Sequence, residues 1–483
     1  MEETQLEKGR KDVGDKEDFL VGWDAADPDN PRNMSSLKRW LIVLIVSNGS
    51  LCVTCTSSIY TFTYGQIMPE FGCSRIVATL GVSFFVWGLA IGPLFFSPLS
   101  ELYGRRYIYI TSLASFLIWL IPCAVARNIQ TMIIVRFLNA VSGSAFLSVA
   151  GGTVSDLFPR DQLAFPMMVY TASPFIGPEL GPLFGGFINQ FTTWRWTFYM
   201  LLIWAGALLA AMTLFVPETF HPVLLERKAA RIRAETGDDR WHSAQGRQQQ
   251  ALTSLIFQSV KRPLAMLALE PMCLNLSIFS AILLGIIYLF FGAFQLVFTD
   301  VYGMNLWQRG CCFLGMLVGM PLATATDPVW QRIYKRLEFK AKASGSPEHQ
   351  PEWRLPPAIV GAPATTIGLF MFSWTIYPSV HWIVPIIGSG IFSFGTLLVY
   401  SGIFTFLVDT YPKFAASAMA ANSFARCILG GVFPLFGVQM YNRLGYHWAS
   451  SLLGFLTLIM APFPFIFFLF GKRLRRKSRF AIS

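Results

Sequence analysis

Three ionisable side chains, Glu179, Arg136 and Arg426, sit well inside long apolar stretches of the chain. Such placement is costly and marks a functional candidate by default. Glu179 is the one carboxyl so placed, and apolar neighbours make a carboxyl hold its proton more readily than water does, as a proton carrier requires. The plainer reading is a carboxyl fixed by hydrogen bonds or by a permanent partner on the next helix. Arg136 falls at comparable depth on the preceding segment, within reach of Glu179, so the two are read as a proton-coupling pair. Arg426 could hold an anionic group or a partner carbonyl, or serve packing alone.

A second set lies at segment ends. Asp156 and Asp409 each terminate a helical stretch, where the negative end of the helix dipole calls for a cation, and Arg105 and Arg332 are the nearest basic candidates by topology. Pairs that form in one arrangement and break in another would latch a gate, with Glu101 and Asp327 beside the two arginines; ordinary helix-end charges are the plainer alternative. Tyr288, Phe291, Phe294 and Gln295 in one segment, and Ser57, Ser58 and Tyr60 in another, have the aromatic and hydroxyl character of a cavity for an amphipathic ligand, although most such aromatics pack against neighbouring helices. The five histidines, His221, His242, His349, His381 and His447, fall in loops or at segment ends, and Cys52 and Cys55 form a CxxC with no second pair. Neither pattern makes a metal site or a nucleophile with its base, so no cofactor is expected.

The elements that must position these groups are membrane spans. Of 483 residues, 54% are hydrophobic and 13% charged, against about 25% charged in a soluble domain. Twelve apolar segments follow one another between residues 40 and 470, each about 20 residues long, the length that crosses a hydrocarbon core. The chain reads as an all-α polytopic membrane protein: a disordered tail (1–39), a six-helix bundle (40–216), a polar basic linker (217–270), a second six-helix bundle (271–470) and a basic tail (471–483). With the N-terminus on one side, 31 of the 38 Lys and Arg fall on that side and five, Arg75, Arg127, Arg195, Arg309 and Arg443, on the other. The positive-inside rule then puts both termini and both long polar loops in the cytosol. That asymmetry and attraction to anionic lipid account for the net charge of +11 without nucleic acid.

The two bundles repeat one another. IYTF at 59–62 recurs as IYLF at 287–290, offset by 228, and Glu101 and Arg105 find counterparts in Asp327 and Arg332 at 226 and 227. Asp156 then matches Asp409 at 253, and PLFG at 182 matches PLFG at 434 at 252. The jump is explained by a long loop, 328–356, where the first bundle has only 99–106. Paired six-helix repeats with a site between them are a transporter architecture.

Four stretches carry a resemblance over nearly the whole chain. GPLFFSPLSELYGRR (92–106) is similar to the loop 2–3 signature of the major facilitator superfamily, with Ser97 and Glu101 where the broad pattern has Gly and Asp. RFLNAVSG (136–143), GPELGPLFGG (177–186) and the pair PETFHPVLLERKA (217–229) with SVHWIVPIIG (379–388) resemble the fungal twelve-helix drug:proton antiporter group. The resemblance implies two pseudo-symmetric six-helix bundles and proton-coupled efflux of lipophilic or amphipathic small molecules. It also implies a plasma-membrane monomer, with Glu101 facing the start of span 11 to lock the halves. Gly177, Pro178, Gly181, Pro182, Gly185 and Gly186 are expected to serve close helix packing and bending. An uptake carrier for a polar solute is the alternative; it should place more polar groups in the central helices than this chain does. A membrane-embedded enzyme, the third reading, lacks a catalytic constellation.

Overall fold

The computed structural model describes residues 19–24, 27–159, 162–243, 252–343, 350–476 and 478–481. Among them, twelve helical spans are arranged as two six-helix halves. Spans 1 to 6 are Ser36–Phe71, Arg75–Tyr103, Arg105–Ala124, Ile129–Leu157, Ala164–Phe191 and Arg195–Phe215. Spans 7 to 10 are Pro271–Asp300, Leu306–Cys311 continued by Leu314–Ala325, Pro356–Trp374 and Ile383–Thr410. Spans 11 and 12, 415–444 and 446–475, are separated by Gly445, whose φ of +76° only glycine adopts without strain.

Local chemistry sets the boundaries. Ser35, Ser74 and Asn128 accept hydrogen bonds from the first-turn amides of spans 1, 2 and 4, and Asn305 with Gln308 forms a capping box for span 8. Span 5 stays helical through Pro174, Pro178 and Pro182. Each proline removes a backbone donor, so this helix is held by its neighbours more than by its own ladder. Spans 9 and 10 meet backbone to backbone: a Cβ added at Gly361 would lie 2.6 Å from the Gly395 carbonyl oxygen, and one at Gly395 equally close to that of Gly361.

Three expectations need correction. Residues 19–24 and 27–33 of the tail read as disordered are ordered against the linker helix His221–Thr236: Lys228 reaches Asp24 and Asp27 at 3.3 and 2.5 Å, and Leu20 pairs with His242; residues 1–18 lie outside the described residues. The loop read as 328–356 contains an amphipathic helix, Asp327–Ala343, and a 3-10 turn, Pro351–Arg354. The tail expected at 471 begins later, because span 12 stays helical to Arg475. Across the halves, span 2 packs on span 11 and span 5 on span 8.

Candidate functional site

At the end of the bundle that carries both termini, the structure brings Arg105 and Asp156 together: Nε donates to Oδ2 at 3.3 Å, with both side chains largely buried. Arg105 also donates to Ser100 Oγ at 2.6 Å and its guanidinium lies 4.4 Å from the Phe220 ring. Gly104 makes this possible. Its φ of +93° breaks the chain between spans 2 and 3, so that the first amides of span 3 point outward. Glu218 receives them. Its Oε1 accepts from the backbone N of Arg105, Thr219 and Phe220, all at 2.9 Å, and its Oε2 from that of Arg106 at 3.2 Å. A buried carboxylate thus caps span 3 from beyond span 6, meeting both its orphan amides and its positive dipole end. His221 adds a contact from Nε2 to the Asp156 carbonyl oxygen at 2.8 Å.

The second half repeats this pair with a different arginine. Asp409 accepts from Arg354 Nε at 2.8 Å, and the Arg354 guanidinium lies over the Tyr334 ring at 3.8 Å. Arg332, expected in this role, is exposed on the inserted helix. The insertion carries Arg332 outward and returns the chain at Arg354, immediately before span 9, just as Arg105 opens span 3. The offset from Arg105 to Arg354 is 249, close to the 253 that relates Asp156 to Asp409; that register was the available signal. Asp327 opens the inserted helix and hydrogen-bonds Gln331. Glu101 is exposed and makes no ion pair among the described residues. Glu218 was missed because nothing in PETF distinguishes a helix-capping carboxylate from an ordinary polar loop residue.

Deeper in the bundle, Arg136 is fully buried but does not meet Glu179. Its Nε donates to the Gly81 carbonyl at 2.9 Å, its Nη2 to those of Thr56 and Ser57 at 3.1 and 3.2 Å, and the rings of Tyr60 and Phe85 lie 4.1 and 4.8 Å from it. Span 4 aims it at spans 1 and 2, whereas Glu179 faces the other half. Glu179 is 1% exposed and neither oxygen has a hydrogen-bond partner among the described residues. Span 5 explains this. Its stripe Gly177, Gly181, Gly185 packs on span 1, where a Cβ at Gly181 would lie 2.0 Å from Ser58 Oγ. The other stripe, Phe175, Glu179, Pro182 and Gly186, faces the second half: Phe175 stacks on Tyr400 with ring centroids 5.0 Å apart, and a Cβ at Gly186 would lie 3.0 Å from the Leu306 carbonyl oxygen. Pro178 precedes Glu179 within the same helix. Arg426 of span 11 reaches this seam too, with Phe404, Tyr400 and Phe175 at 4.8, 5.4 and 5.8 Å. It makes no hydrogen bond and no ion pair among the described residues.

The remaining candidates divide. Ser57 Oγ and Tyr288 OH lie 2.9 Å apart across the halves, and Gln295 donates to the Thr61 carbonyl at 2.9 Å. With the span 5 to span 8 contact, these bonds close the end of the bundle opposite the termini. Ser58 is committed to the Cys55 carbonyl and Tyr60 to Arg136. Phe291 lines a small crevice between the halves with Tyr288, Thr61 and Tyr64 and packs on Phe313, whereas Phe294 is held among Phe290, Phe313 and Phe372 inside the second half. Phe294 is turned away because spans 8 and 9 need a ring to fill their junction.

The family model described as Major Facilitator Superfamily matches residues 46–434. The chain is 51% identical to "Efflux pump atB" of Aspergillus terreus, covering 96% of this chain and 90% of that protein. It is 42% identical to "Probable drug/proton antiporter YHK8" of Saccharomyces cerevisiae, covering 99% and 93%. Among solved structures, the proton:xylose symporter XylE bound to 6-bromo-6-deoxy-D-glucose is similar at a TM-score of 0.64 and 17% identity, over 90% of this chain and 97% of that one, a likeness of fold alone. With the two six-helix halves and the paired latches at one end, these matches show that the chain belongs to the major facilitator superfamily.

Proposed function

We propose that the protein is a proton-coupled exporter of lipophilic or amphipathic small molecules, working as a monomer in the plasma membrane with both termini in the cytosol. The observation that carries the reading is Glu179: a carboxyl with no hydrogen-bond partner among the described residues, buried on the face of span 5 that meets the opposite half. Neutral, it is tolerated there; ionised, it needs a cation. Arg136 is already engaged by three carbonyls and two rings, so the cation we assign to Glu179 among the described residues is Arg426 of span 11, which lies beside Phe175, one helical turn from Glu179 on span 5. Proton loss would draw Glu179 toward Arg426 and reshape the aromatic pocket of Phe175, Tyr400 and Phe404, which gives proton and cargo a common site to compete for. Arg105–Asp156 and Arg354–Asp409 are the cytosolic gate. Names of relatives, "efflux pump" and "drug/proton antiporter", support outward, proton-exchanging transport. The test is intracellular accumulation of a panel of amphipathic compounds in cells with and without the protein. Lower accumulation that disappears when the proton gradient is collapsed is expected; no difference for any compound overturns the reading.

A further inference from the structure

After span 12 the chain turns back under the second half and is fastened there. Buried Arg475 donates through Nε and Nη2 to Glu352 at 2.8 and 3.1 Å. Glu270, 1% exposed at the start of span 7, accepts from Ser478 Oγ at 2.5 Å, from the backbone N of Arg479 and Phe480 at 2.8 and 3.3 Å, and from Tyr411 OH at 3.1 Å. Phe480 closes edge-on against Phe414 at 5.4 Å. Glu352 belongs to the same turn as Arg354, and Tyr411 stands two residues after Asp409. The tail therefore bolts together the two elements that the Arg354–Asp409 pair joins.

We propose that Ser478 is a phosphorylation site and that its modification releases this tail. Arg475 and Arg476 precede it by three and two residues, the spacing that basophilic serine kinases read with paired acidic pockets. The proposal rests on the cytosolic orientation inferred above, where ATP and such kinases reside. In the transfer, Ser478 Oγ attacks the γ-phosphorus of ATP, the bond to ADP breaks, the hydroxyl proton passes to the kinase's catalytic aspartate, and ADP leaves. The new group carries a charge of roughly −1.5 to −2 where a hydroxyl had donated to a buried carboxylate. Glu270 takes only hydroxyl and amide donors among the described residues, so a phosphate on Ser478 removes one of those donors and sets a second anion against the buried carboxylate, and docked tail and phosphate oppose one another. Because Arg475 is buried while docked, the kinase reads the tail only in its undocked population, and the phosphate then holds that population open.

The full-length protein, purified in detergent as wild type and as Ser478→Ala, is incubated with a basophilic serine kinase and ATP, and phosphate uptake is read by intact mass and fragmentation. Limited trypsin cleavage of the tail follows. We expect phosphate on Ser478, its loss in Ser478→Ala, and tail cleavage about tenfold faster after phosphorylation; in Glu270→Gln the same phosphate should raise cleavage less than about threefold, since the opposing charge is gone. Phosphate found only on other residues, or a phosphorylated tail as protected as the unmodified one, overturns the proposal. The assay does not involve transport or membrane orientation, so it stands or fails apart from the exporter reading.

Discussion

Glu218→Gln isolates the capping carboxylate without changing its size. Oε1 accepts three backbone amides and Oε2 one, so the better orientation of the amide keeps its oxygen at Oε1 and turns its NH2 against the Arg106 N–H. One charge-assisted bond is lost outright, three fall to neutral strength, and the favourable charge at the start of span 3 disappears. Taken together this is about 2–4 kcal/mol, or roughly a 30- to 800-fold shift toward an undocked span 3 start. Hydrogen exchange at the Arg105 and Arg106 amides, read by mass spectrometry on purified protein, should accelerate by at least about tenfold, and efflux should fall with it because Arg105 loses its fixed aim at Asp156. Exchange at both amides within twofold of wild type would refute the reasoning, whatever transport does.

Arg354→Ala should reduce efflux by about tenfold or more, because it removes the guanidinium that joins span 9 to half-buried Asp409, whereas Arg332→Ala should stay within about twofold; the reverse order in an accumulation assay would return the latch to the inserted helix. Glu179→Gln should abolish proton-driven uphill efflux while cargo still binds, so cargo should release protons from detergent-purified wild type but not from the variant; equal release from both moves the coupling site elsewhere. The Lys228 ammonium, by donating to Asp27, holds the Asp27 carboxyl below its ordinary range, and Asp27 raises Lys228 in turn. The stability of this strap is therefore present above the free-aspartate range, lost only as pH falls through the lowered Asp27 value, and lost at the alkaline end only beyond the free-lysine range. Trp23 fluorescence should accordingly be flat from about pH 5 to 9; a transition inside that window would refute the Lys228–Asp27 strap as its source.

The arrangement of spans was legible because apolar length is a one-dimensional property that the bilayer enforces segment by segment. Arg105–Asp156 was legible for a related reason: an acid ending one helix and a base opening another at the same end have few other partners. Arg354 was hidden because the insertion breaks the register between the halves, and register was the sole guide to its identity. The proposed contact of Arg136 with Glu179 failed on rotation rather than depth: the two lie at similar heights, but span 4 points Arg136 into its own half. Rotation about a helix axis is weakly encoded when a segment is apolar on all sides, and Phe294, turned inward beside Phe290, was misplaced on the same account.

The contact between spans 9 and 10 has a practical consequence. With Gly361 and Gly395 opposing one another, and a Cβ at Gly368 only 2.7 Å from the Gly388 carbonyl oxygen, the two backbones have no slack along their shared length. Spin labels on the bilayer-facing sides of these helices, at Ile367 and Ile387, would form a fixed internal ruler: their separation should stay constant through the transport cycle. Changes measured from either label to span 5 would then report the movement of one half against the other, free of any bending within the half that carries the ruler.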